Sequence, residues 1–171
     1  EQGGCFALMF IDPDGFKPVN DAFGHHVGDQ LLKAVASRLR GHLHSQDTLA
    51  RIGGDEFVLL VELQEPEDAM DVAAKQVNLV SRQFRVAEHD LQLTASLGIV
   101  LYPGNGVDQL ELLRNADAAM YHAKSAGKNG YSFFDVSMNS NARQQLQLLQ
   151  DLRAALGLGQ FRLHYQPKFD A

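Results

Sequence analysis

The sequence has 171 residues, 45% of them hydrophobic and 21% charged, which suits one domain of ordinary size with a small appendage. A net charge of −6 excludes a broadly basic nucleic-acid surface and leaves room only for a local cationic pocket. The single cysteine, Cys5, excludes an internal disulfide and suits a reducing compartment; there is no signal-peptide pattern, and no apolar run nears the roughly 20 residues that span a bilayer.

Gly3 is followed at once by a core-like run, so the chain reads as a piece of a longer one. Cys5 to Ile11 is continuously apolar and of strand length, which predicts a central strand buried on both faces. It runs into Asp12-Pro13-Asp14-Gly15-Phe16-Lys17, where proline and glycine are expected to stop the strand and leave two acids at its end. Asp14-Gly15 is equally a turn signal, whereas Asp12 directly continues the buried run. Asn20 or Asp21 is expected to act as a cap, and Asp29 to cap a helix over 30–43 whose apolar residues are Leu31, Leu32, Val35, Ala36, Leu39 and Leu43. His25 and His26 are adjacent and lack helical ligand spacing, which argues against zinc and leaves a polar pocket contact.

A polar loop over 42–47 leads to Thr48–Leu63, read as a β-hairpin around Gly53-Gly54-Asp55-Glu56-Phe57. Two carboxylates beside two glycines at a hairpin tip point to a cation or phosphate site, with a solvated polar turn as the alternative. Pro66 opens a helix with an apolar face of Ala69, Val72, Ala73, Val77 and Val80. Leu91–Leu101 alternates as a strand, within which Gly98 marks close approach of another backbone. Val107–Ala126 is a helix with Leu110, Leu113, Ala116, Met120, Tyr121 and Ala123 expected inward, and Gly127 ends it. Lys124 and Lys128 fit either helix C-terminal capping or contact with an anion. A short strand over 131–134 and a Gln-rich linker helix over 139–158 follow, then a strand-like run from Phe161. The alternation predicts an α/β or α+β sandwich with helices covering a central sheet.

Asp12 at a strand end and Asp55 with Glu56 at a hairpin tip are oxygen donors of the kind that suit magnesium, which takes one or two carboxylates plus substrate phosphates. Lys17, Lys124 and Lys128 have the charge to oppose a triphosphate, and Asn20 and Asp29 have the donors and acceptors to read a purine edge. No P-loop pattern is present. Residues and spacing reach no further than a magnesium-dependent nucleotide site.

The ordered set Phe10–Asp21, Gly24-His25, Gly28-Asp29, Arg51–Phe57, Ala116–Tyr121, Ala123-Lys124 and Gly127-Lys128-Asn129 closely resembles the GGDEF family of diguanylate cyclases over about residues 5–135. The resemblance implies a palm-like central mixed sheet covered by helices, as in nucleotide cyclases. It implies a homodimer that condenses two GTP to cyclic di-GMP, with Mg2+ as cofactor and Mn2+ as its substitute. On matched positions, Asp12, the Pro13 carbonyl, Asp55 and Glu56 resemble the metal site, and Asp55 and Lys17 the catalytic groups. Asn20, His25, Asp29, Gly15, Phe16, Lys124 and Lys128 resemble the substrate contacts. Residues 160–171 look like the first strand of an EAL phosphodiesterase domain, which gives a division into a cyclase domain (1–135), a linker helix (136–159) and a truncated EAL start. Two departures stand out. His44 replaces the arginine of the usual Arg-x-x-Asp product-inhibition site, whose aspartate is Asp47, and the chain begins after the usual Asp-x-Leu-Thr segment and helix, which is expected to weaken dimerisation or activity. The expected location is cytoplasmic, with the parent anchored at the inner membrane if a missing N-terminal part supplies the anchor. The rival reading is a catalytically silent GTP-binding module that regulates an attached EAL domain.

Overall fold

A computed structural model describes residues 5–139, 151 and 154–162. In chain order the elements are β1 (Cys5–Asp14), α1 (Phe16–Phe23), α2 (His25–Arg40), β2 (Thr48–Gly53), β3 (Glu56–Leu63), α3 (Asp68–Ser81), β4 (Phe84–Val86), β5 (His89–Leu91), β6 (Thr94–Tyr102), α4 (Gln109–Ser125) and β7 (Gly130–Phe133). Strands order as β2-β3-β1-β6-β7 in one mixed sheet. β1 is antiparallel to both β3 and β6, and β7 is parallel to β6 through the α4 crossover. β1 is therefore central, as its apolar run predicts, and every residue from Ala7 to Asp14 is buried.

Period-2 alternation divides the core. Ala7, Met9 and Ile11 face α2 and α3 with Leu59, Val61, Leu97 and Ile99. Leu8, Phe10 and Val100 face α4 with Leu112, Ala116, Ala119 and Met120. α4 lies so close to β6 that a Cβ on Gly98 would stand 1.9 Å from the Ala116 carbonyl oxygen and 2.2 Å from the Met120 nitrogen. The close backbone approach expected at Gly98 is thus what seats α4. On the other face Arg38 fastens the end of α3. It donates to the carbonyls of Leu79, Arg82 and Gln83, and its guanidinium lies 3.5 Å from the centre of the Phe84 ring.

Several expectations need correction. Pro13 does not stop β1: β3 pairs only as far as Ile11, so beyond it Pro13 needs a partner only on the β6 side, where it registers with Ala95. α1 is absent from the sequence reading, which expects Asn20 or Asp21 to act as a cap; Pro18 falls in its first turn, where its missing N–H is not needed. Asn20 and Asp21 are consequently inside a helix and do not cap it, and α2 starts at His25 with Gly24 before it, so Asp29 is internal too. α2 also ends at Arg40, short of Leu43. The expected strand over 91–101 divides into β5 and β6, with β4 and β5 forming a small hairpin of their own. On α4, Leu110 and Tyr121 are exposed, and Leu112, Asn115 and Ala119 take the inward positions. Most of the linker helix and the final strand lie outside the described residues; within them, 136–139, 151 and 154–157 are helical.

Candidate functional site

The end of β1, the β2–β3 hairpin tip and the last turns of α4 carry the acids and the lysine. The hairpin closes with Gly53 paired to Glu56, so Gly54 and Asp55 form a two-residue loop, and Gly54 takes a φ of 50°. The Arg51 guanidinium folds over the tip and donates through Nε to the Gly54 carbonyl at 2.8 Å. A side chain at Gly53 would meet nothing within 4 Å, and its φ is not positive, so the free protein itself does not require glycine there.

Asp12 is buried, and its Oδ2 accepts from Lys124 Nζ at 2.6 Å. Burial pushes its carboxyl above the ordinary range; the Lys124 bond and charge pull it back, and Asp55 and Asp14 push it up again. Glu56 is raised in the same direction, first by burial and then by the charges of Asp12, Asp117 and Asp55. Carboxylates from β1 and from the hairpin therefore share one field, as their positions predict. Asp117 belongs to that field and is a residue the sequence reading did not single out. Its carboxyl is raised by desolvation and lowered by Lys124. The available signal is its spacing, two turns before Lys124 on one face of α4.

Among the described residues, no three or more His, Cys, Asp or Glu side chains form a group able to hold a metal ion by themselves. The donor set still fits a hard divalent cation shared with a ligand. Asp12, the Pro13 carbonyl, Asp55 and Glu56 are hard oxygen donors, and a magnesium ion leaves several positions to water and phosphate.

Asn20 and Asp29 lie on α1 and α2, away from this group in sequence. The Asn20 side chain lies across Gly28: a Cβ there would stand 1.8 Å from Asn20 Oδ1 and 3.1 Å from the Phe16 ring. Gly28 is thus a second residue that the sequence reading quoted without giving it a role. Oδ1 of Asn20 is buried and accepts no hydrogen bond among the described residues. A buried acceptor without a donor is an unfavourable arrangement, which a ligand N–H would relieve. Asp29, His25 and Lys17 are exposed on the same two helices. Gly15, with φ 81°, precedes α1, and the amides of Phe16 and Lys17 belong to its first turn, where N–H groups lack helical acceptors. Lys128 follows α4, exposed, with φ 63°.

In the loop over 44–47, the Asp47 carboxylate is buried and accepts from the His44 amide at 2.8 Å, which closes that loop. No helix among the described residues is long and apolar enough to cross a membrane.

Comparison with known proteins adds to this geometry. The family described as diguanylate cyclase, GGDEF domain, matches residues 1–130. The bifunctional diguanylate cyclase/cyclic di-GMP phosphodiesterase MucR of Pseudomonas aeruginosa is 58% identical over 163 residues, 95% of this chain and 24% of that protein. The cyclic di-GMP phosphodiesterase NbdA of the same organism is 40% identical over 97% of this chain and 21% of its own length. The chain thus spans about a quarter or less of these relatives. Among solved structures, the GGDEF domain of P. aeruginosa TpbB (YfiN) superposes with a TM-score of 0.78 at 33% identity, covering 82% of this chain and 83% of that one. An EAL/GGDEF domain protein from M. capsulatus gives 0.74 at 43% identity, covering 79% and 88%. The GGDEF domain of DgcB from Caulobacter crescentus, solved with c-di-GMP, gives 0.69 at 29% identity, covering 77% and 78%.

Proposed function

Because this chain belongs to the GGDEF family of diguanylate cyclases, we propose that it binds GTP between α1, α2 and the hairpin and condenses two GTP to cyclic di-GMP across a homodimer. The observation that carries this reading is the pairing of a buried, cation-held Asp12 with Asp55 and Glu56, beside a buried acceptor on Asn20 that has no donor.

The guanine edge supplies N–H donors to Asn20 Oδ1 and to Asp29, with His25 alongside. The amides after Gly15 and the ammonium groups of Lys17, Lys124 and Lys128 oppose the triphosphate charge. Asp12, the Pro13 carbonyl, Asp55 and Glu56 would hold the divalent cation, Mg2+ or in its place Mn2+. When bound, that ion supplies charge neutralisation at the phosphates. In each half-reaction the 3′-oxygen of one GTP forms a bond to the α-phosphorus of the other. The bond from that phosphorus to the β-phosphate bridging oxygen breaks, pyrophosphate leaves, and the hydroxyl proton passes to Asp55. Two such steps close the ring. The open space at Gly53 leaves room for the nucleotide beside the hairpin backbone.

His44 in place of the arginine, and Asp47 engaged with the His44 amide, support weak product inhibition at that place. The parent is proposed to continue into an EAL domain from about residue 160, after a linker helix over 136–159, and to work in the cytoplasm.

The test is incubation of the dimeric parent with GTP and Mg2+ and quantitation of cyclic di-GMP. Product is expected, and Asp55→Ala should lower the rate by about 10²-fold or more while GTP still binds. Binding of GTP without any product would instead support the silent regulatory module.

A further inference from the structure

Asp14 is the second acid at the end of β1, and the chemistry above gives it no task. Its carboxylate is nevertheless among the most heavily engaged in the molecule. Oδ1 accepts from Ser96 Oγ at 2.9 Å, and Oδ2 accepts from Thr94 Oγ1 at 2.8 Å and from the backbone N–H of Asn129 at 3.2 Å. The residue is only 8% exposed. Two of these donors lie on β6, its register partner; the third lies in the turn between α4 and β7.

That turn is unusual. Lys128 and Asn129 are consecutive residues at φ 63° and 49°, neither of them glycine. Lys128 in this conformation is disfavoured by about 1 kcal/mol or more, Asn129 by less, and the pair persists only where its surroundings hold it. Two clamps flank Lys128. On one side its own N–H donates to Ala123 O and that of Gly127 to Lys124 O, the bond pattern of a Schellman motif closing α4. On the other side Asn129 N–H is held by Asp14, and the Asn129 side chain accepts from Ser81 Oγ at 3.0 Å.

The next residue after Asp14 is Gly15, which opens the amide-rich first turn of α1. One side chain thus joins the strand end that leads into the phosphate-facing amides to the turn that presents Lys128. We infer that Asp14 is a positioning residue for triphosphate binding, fixing the backbone of Lys128 opposite the Gly15–Phe16 amides. This rests on the GTP reading above and adds to it the device that aims one of its cations.

Asp14→Asn keeps the size of the side chain but leaves one acceptor oxygen where two are in use, so Asn129 N–H and the hydroxyls compete for it. The experiment is calorimetric titration of an α,β-methylene GTP analogue, which cannot release pyrophosphate, with Mg2+ present. The proteins are wild type, Asp14→Asn, Lys128→Ala and the double variant, each checked by thermal melting. Each single change is expected to weaken binding about tenfold, the scale of one charge-assisted contact, and the double variant should bind no more weakly than Lys128→Ala alone. GMP, which lacks the outer phosphates, should bind Asp14→Asn as it binds wild type. Unchanged triphosphate binding in Asp14→Asn, or losses that multiply to about 100-fold in the double variant, would overturn the inference. If Asp14→Asn does not fold, Thr94→Val removes one of the same hydrogen bonds and carries the same cycle with Lys128→Ala. Failure of the wild type to bind the analogue at all would instead reject the GTP reading, and the inference with it.

Discussion

The two halves of the site are built differently. On the side made by β1, β6 and α4, the charged groups are bonded before any ligand arrives: Asp12 holds Lys124, and Asp14 holds Thr94, Ser96 and Asn129. On the side made by α1 and α2, Lys17, His25 and Asp29 are exposed and Asn20 has a buried acceptor with no donor. The difference teaches a division of labour. The floor of β1, β6 and α4 is part of the core and is ordered by folding, whereas the α1–α2 rim, with its proposed nucleotide contacts, is left for the ligand to complete. Preorganised charge on the floor suits transition-state stabilisation, since it needs no rearrangement during the reaction.

The contrast breaks most severely if the floor is lifted. Gly98→Ala would drive a methyl group into the Ala116 carbonyl and the Met120 amide, both backbone atoms that cannot move alone. Stability should fall by about 3 kcal/mol, the upper range for overpacking, as read by urea denaturation. Displacement of α4 should carry Lys124 away from Asp12.

A rim change should act on recognition and leave the floor intact. Gly28→Ala places a methyl group where Asn20 Oδ1 now lies, so Asn20 must leave its position. Guanine affinity is expected to fall about tenfold or more, with selectivity over ATP eroded, while the change in melting temperature stays far smaller than for Gly98→Ala. Competition binding with GTP and ATP checks this.

Lys124 sharpens the floor's own logic, because one ammonium serves Asp12 in the free protein and is assigned to phosphate in the complex. Lys124→Ala should therefore weaken GTP binding about tenfold yet tighten binding of Mn2+ alone by a few-fold, since the competing cation is gone. Electron paramagnetic resonance of Mn2+ without nucleotide measures the second effect.

The smallest effect is the pH dependence. Asp12 and Glu56 are raised above 3.8 and 4.5, chiefly by burial, so the free protein retains protons on them where ordinary carboxyls have lost theirs. Cation affinity should rise with pH through that raised range and flatten above it, with proton release on binding, as calorimetry in buffers of different ionisation enthalpy would show. The sign for stability is opposite. Each group's favourable contribution is complete below its unfolded pKa and is lost as pH rises through the folded one, so a bound cation should restore stability in that window.

What the sequence reveals follows the range of the forces involved. The central β1, the β2–β3 hairpin and the Gly98 contact are legible because an apolar run, a glycine pair and a strand-interior glycine are local signals. α1 and the β4–β5 hairpin are not, because they are short and take their stability from tertiary contacts such as the Phe23–His89 ring pair. The same holds within the site. Asp12, Asp55 and Glu56 stand out as acids next to apolar strands. Asp14, however, looks like an ordinary turn residue until its partners some eighty residues or more away are seen, and Gly28 has no visible task until Asn20 lies across it. Asp117 is hidden for a simpler reason: an acid on an exposed helix face looks the same whether or not other carboxylates share its field.

The division between a floor ordered by folding and a rim ordered by ligand is tested most directly by amide hydrogen exchange, with and without the α,β-methylene GTP analogue and Mg2+. The account predicts that exchange slows about tenfold or more over residues 16–30 and 53–56, and changes by less than about twofold over 96–101 and 123–129. Protection gained first at the floor, or equally throughout the domain, would contradict it.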